Sequence, residues 1–233
     1  METEFVLFDF DGVIANTEES NAAYLEKALS AFGIQLTDDD RKALIGTNDK
    51  ARIESLLSRS LVKVTAEDLA GKRRQVGNTY ENSCIRPMPG VVSLIQEIRG
   101  RGIKTGLVTS TSTRLIMIAL NRMRMTALFD VVICGDMCAN HKPDPECYKK
   151  AMDYLGAEPC KCIVFEDSAV GIHAARLAGA RVAAYRGSGI QQDVSEADLI
   201  VDSYDECKDM LDDIMQGKIT QGRITQGGIM PCK

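Results

Sequence analysis

Short runs of apolar residues recur along the chain, each only three to five residues long. A run this short, with little polar alternation, is typical of a strand that is buried on both faces. The runs are Phe5–Phe8, Thr105–Thr109, Val131–Cys134, Cys162–Phe165, Arg181–Ala184 and Leu199–Val201. Between them, apolar residues recur at helical spacing, as in Tyr148, Ala151, Met152 and Leu155. This alternation predicts an α/β fold whose parallel sheet is covered by helices on both faces.

Residues 16–84 interrupt the alternation, because they carry helical patterns and no convincing strand. Leu25, Leu29 and Phe32 share one helical face, which ends at Gly33. Further helices are predicted at Asp38–Leu44, Lys50–Leu57 and Ala66–Asn82. We therefore predict a helical domain, residues 16–85, inserted into an α/β domain formed by residues 1–15 and 86–215.

The last residues, 216–233, are predicted to be a C-terminal tail. They contain a short repeat, Lys218–Gly222 followed by Arg223–Gly227. The repeat is compatible with a short hairpin or with a frayed end. We expect an exposed terminus of little function.

Composition narrows the class of protein. Of the 233 residues, 45% are hydrophobic and 26% are charged, as in ordinary globular proteins. The N-terminus carries Glu2 and Glu4 where a signal peptide would carry positive charge. No run approaches the ~20 apolar residues that span a bilayer. We therefore expect a cytoplasmic protein that has no membrane partner.

Charge and cysteine content exclude further classes. A net charge of -5 argues against nucleic acid as a partner, since phosphate backbones require a basic surface. Of the eight cysteines, Cys160 and Cys162 are separated by one residue, which is neither redox-pair nor zinc-finger spacing. We expect reduced, structural thiols. Nothing in the sequence requires more than a monomer.

Polar residues follow four of the predicted strands at their carboxyl ends, where parallel sheets bind ligands. They are Asp9 and Asp11, then Thr109–Ser112, then Lys142 in the loop after the third strand, then Glu166 and Asp167. Two like charges ~4 Å apart repel by about 4 kcal/mol at an effective dielectric of about 20. Four carboxylates on one rim therefore require a divalent cation as well as the lysine, and oxygen ligands favour Mg²⁺. A phosphoryl group is the substrate that suits Mg²⁺, lysine and hydroxyl donors together.

Four segments of the chain resemble, in order and spacing, the motifs of the haloacid dehalogenase (HAD) superfamily. They are Phe5–Ile14, Leu107–Ser110, Lys142–Pro145 and Val164–Gly171. The match is closer still to the β-phosphoglucomutase-like branch, which contains Mg²⁺-dependent phosphatases and mutases. The resemblance implies a HAD-like Rossmannoid three-layer core and identifies the helical insertion with the cap domain of that branch.

The resemblance also implies roles for three catalytic residues. Asp9 would be the nucleophile, forming an aspartyl-phosphate, and also a Mg²⁺ ligand. Asp11 would be the general acid/base, with its main-chain carbonyl on the metal as well. Lys142 would bridge the phosphate and the nucleophile.

The remaining motif residues would bind substrate and metal. By the same resemblance, Thr109 and the main-chain amide of Ser110 would hold the phosphoryl oxygens. Asp167 would bind Mg²⁺. Glu166 would either bind the ion or support the residues that do.

Departures from the mutase pattern favour a phosphatase. Asn21, a candidate substrate-binding residue, stands where the mutases of this branch place a histidine. Asp49 lies in the loop where they place an arginine, and Val76 aligns with their substrate lysine, although Arg73 or Arg74 is an alternative cation. We expect a phosphatase that acts on a small phosphate ester, in particular a sugar phosphate. The alternatives are a sugar phosphomutase and a catalytically silent phosphate-binding regulatory protein.

Overall fold

A computed structural model describes residues 2–44, 50–216, 218, 222–225 and 228–230. The chain divides into two compact units, which are referred to below as the α/β unit and the helical unit. The α/β unit comprises Met1–Asn16 and Arg86–Lys233, and the helical unit comprises Thr17–Ile85. Asp49, which the sequence places where the mutases have an arginine, lies outside these described residues.

The helical unit contains five helices and no strand among its described residues. The helices are α1 (Glu18–Ser30), α2 (Asp38–Leu44), α3 (Lys50–Leu57), α4 (Ala66–Val76) and α5 (Thr79–Asn82). Leu25, Leu29, Leu56 and Leu69 belong to the buried cluster that holds these helices together. The predicted helices at Asp38–Leu44 and Lys50–Leu57 are confirmed.

The single helix predicted over Ala66–Asn82 is wrong, because the chain breaks at Gly77 between α4 and α5. Gly77 has a φ of +99°, a conformation that side chains rarely adopt, and a Cβ there would lie 2.7 Å from Oδ1 of Asn82. The Asn78 side chain then caps α5 by accepting a hydrogen bond from the Glu81 amide at 3.0 Å. Gly77 therefore ends α4, and Asn78 begins α5.

The α/β unit alternates strands and helices along the chain. Its strands are β1 (Phe5–Phe8), β2 (Lys104–Val108), β3 (Val131–Ile133), β4 (Cys162–Glu166), β5 (Arg181–Tyr185), β6 (Leu199–Val201), β7 (Gly222–Thr225) and β8 (Gly228–Met230). Its helices are α6 (Val91–Gly100), α7 (Thr113–Met123), α8 (Glu146–Leu155), α9 (Ala169–Leu177), α10 (Tyr204–Asp209) and α11 (Leu211–Met215). The predicted strands are confirmed, with bounds that agree to within one residue.

The strands form one sheet in the order β3-β2-β1-β4-β5-β6-β7-β8, which is parallel except for the last pair. In the register of the central strands, Phe8 of β1 lies beside Leu107 of β2 and Phe165 of β4. The residues that follow these positions therefore leave the sheet at the same edge. This α/β architecture confirms the predicted fold class.

Both faces of the central strands are covered, which explains why these strands are mostly apolar. On one face, Leu7 and Val164 pack in a cluster with residues of α8 and α9. Phe8 and Phe165 point to the opposite face, where their rings stack with centroids 5.0 Å apart, and Tyr204 of α10 packs against Phe165. The central strands that carry the polar edge are therefore fixed from both sides.

The described residues of the C-terminal tail form two strands. Residues 222–225 pair with β6 as the parallel strand β7, and residues 228–230 fold back on them as the antiparallel β8. The hairpin alternative is the one that the described residues confirm. Backbone groups of an edge strand that lack partners offer pairing sites, and β7 uses those of β6.

The described part of the chain bears on two expectations, namely that there is no membrane-spanning segment and that the cysteines are reduced. None of its helices combines the length and apolar character needed to cross a membrane. Its seven cysteines are free thiols, of which Cys134, Cys147, Cys162 and Cys207 are buried.

Candidate active site

The site forms at the edge of the sheet where β1, β2 and β4 end. Asp9 follows β1, and its amide donates a hydrogen bond to the Phe165 carbonyl at 2.9 Å. Thr109 follows β2 and donates from its amide to the Ile133 carbonyl at 3.0 Å. Glu166 is the last residue of β4. Sheet pairing thus continues up to the site and fixes the backbone of these residues.

Lys142 reaches this edge from the loop before α8. Its Nζ lies 2.6 Å from Oδ1 of Asp9, 2.7 Å from Oε1 of Glu166 and 3.2 Å from the carbonyl oxygen of Val108. An ammonium group has three N–H donors, and here each has a protein acceptor. The side chain is only 5% exposed. The structure therefore brings the predicted Lys142 and Asp9 into direct contact, with Glu166 as a second anion.

The carboxylate of Glu166 is surrounded by donors. Oε1 accepts hydrogen bonds from Lys142 and, at 2.9 Å, from the hydroxyl of Tyr148. Oε2 accepts from the amides of Asp167 and Ser168 at 2.9 and 3.0 Å and from the Ser168 hydroxyl at 3.0 Å. Five donors satisfy the two oxygens of a fully buried carboxylate. Glu166 therefore has the contacts of a supporting residue.

Asp9, Glu166 and Asp167 form an acidic group with cation-ligand geometry. One carboxylate oxygen from each lies within 4.8 Å of the others, and among the described residues these three side chains could hold a metal ion together. Gly12 lies against the same group, since a Cβ there would lie 1.9 Å from Oδ2 of Asp167. The sequence also predicts the main-chain carbonyl of Asp11 as a ligand.

The charges within the site do not balance. The pKa of Asp9 is raised to about 8, chiefly by burial, with Lys142 opposing the rise and the charges of Glu166 and Asp11 adding to it. Burial also acts to lower the pKa of Lys142, but the Asp9 and Glu166 charges raise it well above its usual value. One buried ammonium therefore faces more carboxylates than it neutralises. A bound hard cation would supply the missing positive charge, so the residues present fit a divalent metal site.

A hydroxyl group orients the second aspartate of the first motif. The hydroxyl of Thr111 donates to Oδ2 of Asp11 at 3.0 Å, and the Thr111 amide donates to the hydroxyl oxygen of Thr109 at 3.1 Å. Thr109 is buried, whereas Ser110 is exposed. The turn after β2 thus places the two predicted phosphate-binding residues beside a residue that holds Asp11.

Asn21, the remaining candidate, lies in the helical unit. Its side-chain oxygen accepts a hydrogen bond from the Thr79 hydroxyl at 2.7 Å, which joins α1 to α5. In the same unit, the partly buried Val76 packs against the hydrophobic cluster.

Sequence reasoning missed Tyr148 and Thr111. The sequence pattern indicates Tyr148 only as one member of the apolar face of a helix, and the side chain is fully buried as that face requires. Its hydroxyl contact with Glu166 has no signal in the spacing. Thr111 stood among the hydroxyl residues after β2, and its two-residue distance from Thr109 was the only available hint.

Comparison with known proteins agrees with this geometry. Residues 6–185 match the family of haloacid dehalogenase-like hydrolases. The chain is 30% identical over 176 residues to the phosphorylated carbohydrates phosphatase of Thermotoga maritima, which covers 76% of this chain and 82% of that protein. It is 28% identical over 220 residues to the N-acetylmuramic acid 6-phosphate phosphatase of Pseudomonas aeruginosa, with coverage of 91% and 96%.

A solved structure extends the comparison to the fold. The β-phosphoglucomutase of Clostridium difficile aligns with a TM-score of 0.74 at 23% identity, covering 94% of this chain and all of that one. Together with the ordered motifs and the Asp9–Lys142 contact, these matches confirm the resemblance seen in the sequence. This chain belongs to the haloacid dehalogenase-like hydrolase family.

Proposed function

We propose that this protein is a Mg²⁺-dependent phosphatase that hydrolyses small phosphorylated metabolites, in particular sugar phosphates. The observation that carries the proposal is the buried contact of Asp9 with Lys142 beside the acidic group of Asp9, Glu166 and Asp167. The named phosphatase relatives act on phosphorylated carbohydrates and on N-acetylmuramic acid 6-phosphate, and they support the substrate class.

In the proposed reaction, a carboxylate oxygen of Asp9 attacks the phosphorus atom. A bond forms between them as the bond to the leaving-group oxygen breaks, and Asp11 gives that oxygen its proton. Water then attacks the aspartyl-phosphate while Asp11 takes a proton from it. The bond between phosphorus and Asp9 breaks, which releases inorganic phosphate and restores both aspartates. Thr111, through its hydrogen bond to Asp11, supports this role.

The hydrogen-bond donors and the lysine of the site would stabilise the negative charge of the phosphoryl group in this proposed reaction. The ammonium group of Lys142 donates a hydrogen bond to the Asp9 carboxylate. It would therefore neutralise negative charge where a phosphoryl oxygen approaches. Val108 supplies the longest of its three contacts, which makes the carbonyl of Val108 the acceptor most easily exchanged for a phosphoryl oxygen. Thr109 and the Ser110 amide would hold the remaining phosphoryl oxygens.

A divalent cation would be held by Asp9, Asp167 and the main-chain carbonyl of Asp11. When bound, it supplies Lewis-acid stabilisation of negative charge on the phosphoryl group. We place Glu166 in the supporting role, since its oxygens already accept five hydrogen bonds. The hard oxygen donors favour Mg²⁺ over softer metals.

Within the helical unit, two observations favour hydrolysis over phosphoryl transfer between two sugar positions. Val76, aligned with the substrate lysine of mutases, packs against the hydrophobic cluster of the unit. Asn21 is bound to Thr79 and has no ionisable proton to shuttle. Arg73 and Arg74 stay the alternative cations for a mutase.

The test measures phosphate release from a panel of sugar phosphates and from p-nitrophenyl phosphate, with Mg²⁺ or with EDTA. Wild type, Asp9→Asn and Asp153→Asn are compared, the last being an exposed aspartate on α8. We expect turnover by wild type and Asp153→Asn with Mg²⁺ only, and none by Asp9→Asn. A phosphorylated Asp9 trapped by rapid acid quench would identify the nucleophile.

Other outcomes select between the alternatives. Conversion of a hexose 1-phosphate primed with a bisphosphate, without net phosphate release, would indicate the mutase. No activity in either assay, together with binding of phosphate by the protein, would indicate a regulatory phosphate-binding protein. The expectations of a monomer, of a cytoplasmic location and of no nucleic-acid or membrane partner stay predictions, which size-exclusion chromatography and cell fractionation would check.

A further inference from the structure

Tyr148 contacts the buried Lys142–Glu166 pair in two ways. Its hydroxyl donates to Oε1 of Glu166 at 2.9 Å, and the Nζ of Lys142 lies 4.8 Å from the centroid of its ring. Tyr148 and Glu166 are fully buried, and the Lys142 side chain is 5% exposed. Water therefore competes little for these contacts, which strengthens each of them.

One oxygen of Glu166 is shared between two donors. Oε1 accepts from Lys142 at 2.7 Å and from Tyr148 at 2.9 Å. The hydroxyl of Tyr148 therefore fixes the position of Oε1, the acceptor that Lys142 uses. A fixed Oε1 in turn holds the ammonium group where it lies 2.6 Å from Asp9.

The ring of Tyr148 acts on the ammonium group itself. The face of an aromatic ring attracts a cation within about 6 Å of its centroid, most strongly where both are desolvated. Lys142 extends from a loop, and its ammonium group donates to three acceptors. The ring therefore limits the positions that the ammonium group can take.

We propose that Tyr148 is a positioning residue, which holds the ammonium group of Lys142 at Asp9 through its ring and through the Oε1 atom it shares with Glu166. This inference rests on the proposed phosphatase function. The contacts of Tyr148 given above are with Glu166 and Lys142, so we infer that it acts on Asp9 through Lys142. Its loss should therefore lower kcat more than it raises KM.

The first arm of the test is steady-state kinetics with p-nitrophenyl phosphate and Mg²⁺. Tyr148→Phe keeps the ring and removes the hydroxyl, and we expect kcat to fall about tenfold with KM changed less than about twofold. The matched control is Tyr154→Phe, since Tyr154 is exposed on the same helix. We expect the control to behave as wild type, and Tyr148→Phe to lose several °C of Tm, because it removes a buried hydrogen bond.

The second arm does not depend on activity. In ¹⁵N-labelled protein, the ammonium signal of Lys142, identified by its loss in Lys142→Met, reports how well that group is held. We expect slow proton exchange in wild type and in Tyr154→Phe, and exchange at least about tenfold faster in Tyr148→Phe. A merely structural tyrosine would lower Tm and leave this signal unchanged.

The two arms separate the possible failures. Unchanged kcat in Tyr148→Phe, or a lower kcat and Tm with an unchanged Lys142 signal, would overturn the positioning role. Absence of turnover by wild type would overturn the phosphatase function, while the Lys142 signal would still decide whether Tyr148 holds that ammonium group.

Discussion

A Cβ atom on Gly12 would lie 1.9 Å from Oδ2 of Asp167, well inside the contact distance of the two atoms. Gly12 also has a φ of +79°, which side chains rarely adopt. The backbone that follows Asp11 therefore runs directly against a carboxylate of the acidic group. The glycine of the first motif thus determines where Asp167 can lie.

Gly12→Ala should impair cation binding more than folding. The new methyl group must displace the Asp167 carboxylate, and loss of the surroundings that orient a metal ligand costs roughly 10–100-fold in metal affinity. We expect the Mg²⁺ concentration for half-maximal phosphate release to rise by about that factor. A Mg²⁺ titration of activity measures it.

Gly189→Ala is the matched control, since Gly189 has a φ of +77° and nothing within 4 Å of an added Cβ. Both substitutions carry the same backbone strain, about 1 kcal/mol or more in unfolding free energy. An equal rise in Mg²⁺ requirement for both variants would mean that strain, and not the contact with Asp167, is the cause.

Thr111→Val should slow the reaction without changing the Mg²⁺ requirement. The substitution removes the hydroxyl that donates to Oδ2 of Asp11 at 3.0 Å and keeps the shape of the side chain. A hydrogen bond contributes about 0.5–1.5 kcal/mol, so we expect kcat to fall up to about tenfold. Thr111→Ser, which keeps the hydroxyl, should stay within about threefold of wild type. Wild-type kcat in Thr111→Val would show that the hydroxyl of Thr111 does not support the role of Asp11.

Lys142→Met should cost both activity and stability. It leaves Asp9 and Glu166 buried without their shared cation, and breaking such a pair from one side costs about 3–5 kcal/mol of unfolding free energy. Because Asp9 can take up a proton, we expect the lower end of that range in the absence of Mg²⁺. We also expect kcat to fall at least about 100-fold. Urea unfolding and phosphate release measure the two effects.

Lys149→Met is the control for this variant, as Lys149 is an exposed residue of α8. Its activity and unfolding midpoint should match those of wild type. Wild-type stability in Lys142→Met would show that the buried carboxylates do not depend on the ammonium group.

The carboxylates of the site were predictable because strand ends are visible in the sequence. The apolar runs of β1, β2 and β4 stop at polar residues, and parallel strands bring those stops to one edge, so the sequence alone predicts that Asp9 and Glu166 lie together. Whether Glu166 binds the cation or supports the site could not be decided, because that depends on the donors around its two oxygens. Those donors come from the helix start at Ser168 and from α8, at distances that spacing does not give.

Other features could not be predicted from the sequence, because the contacting residues lie far apart along the chain or because the local pattern also fits another structure. Tyr148 fits the apolar face of α8 as well as any residue, and only its hydroxyl contact reveals a second role. The strand β7 pairs with β6, about twenty residues earlier, and a local repeat carries no sign of such pairing. The break at Gly77 was visible as a glycine, yet a single glycine inside a helical pattern is often tolerated.

The loop that carries Lys142 should become less well fixed in acid through Glu146. The Glu146 carboxylate accepts hydrogen bonds from Nζ of Lys150 at 2.7 Å and from the amides of Ala139 and Asn140 at 2.9 and 2.8 Å. The hydrogen bond from Lys150, followed by those from the two amides, lowers the pKa of Glu146 from 4.5 to about 2. A carboxylate with a lowered pKa stabilises the fold above its unfolded value and loses that effect as the pH falls towards the folded value.

Glu146→Gln tests this prediction, because it removes the charge and keeps the size of the side chain. At pH 7 we expect the variant to unfold at a lower urea concentration than wild type. As the pH falls below about 4.5, wild type takes up a proton on unfolding that it releases on folding, so the gap between the two midpoints should narrow. Urea titrations between pH 7 and pH 3.5 measure the gap. A gap that stays constant over this range would show that the charge of Glu146 does not hold the loop.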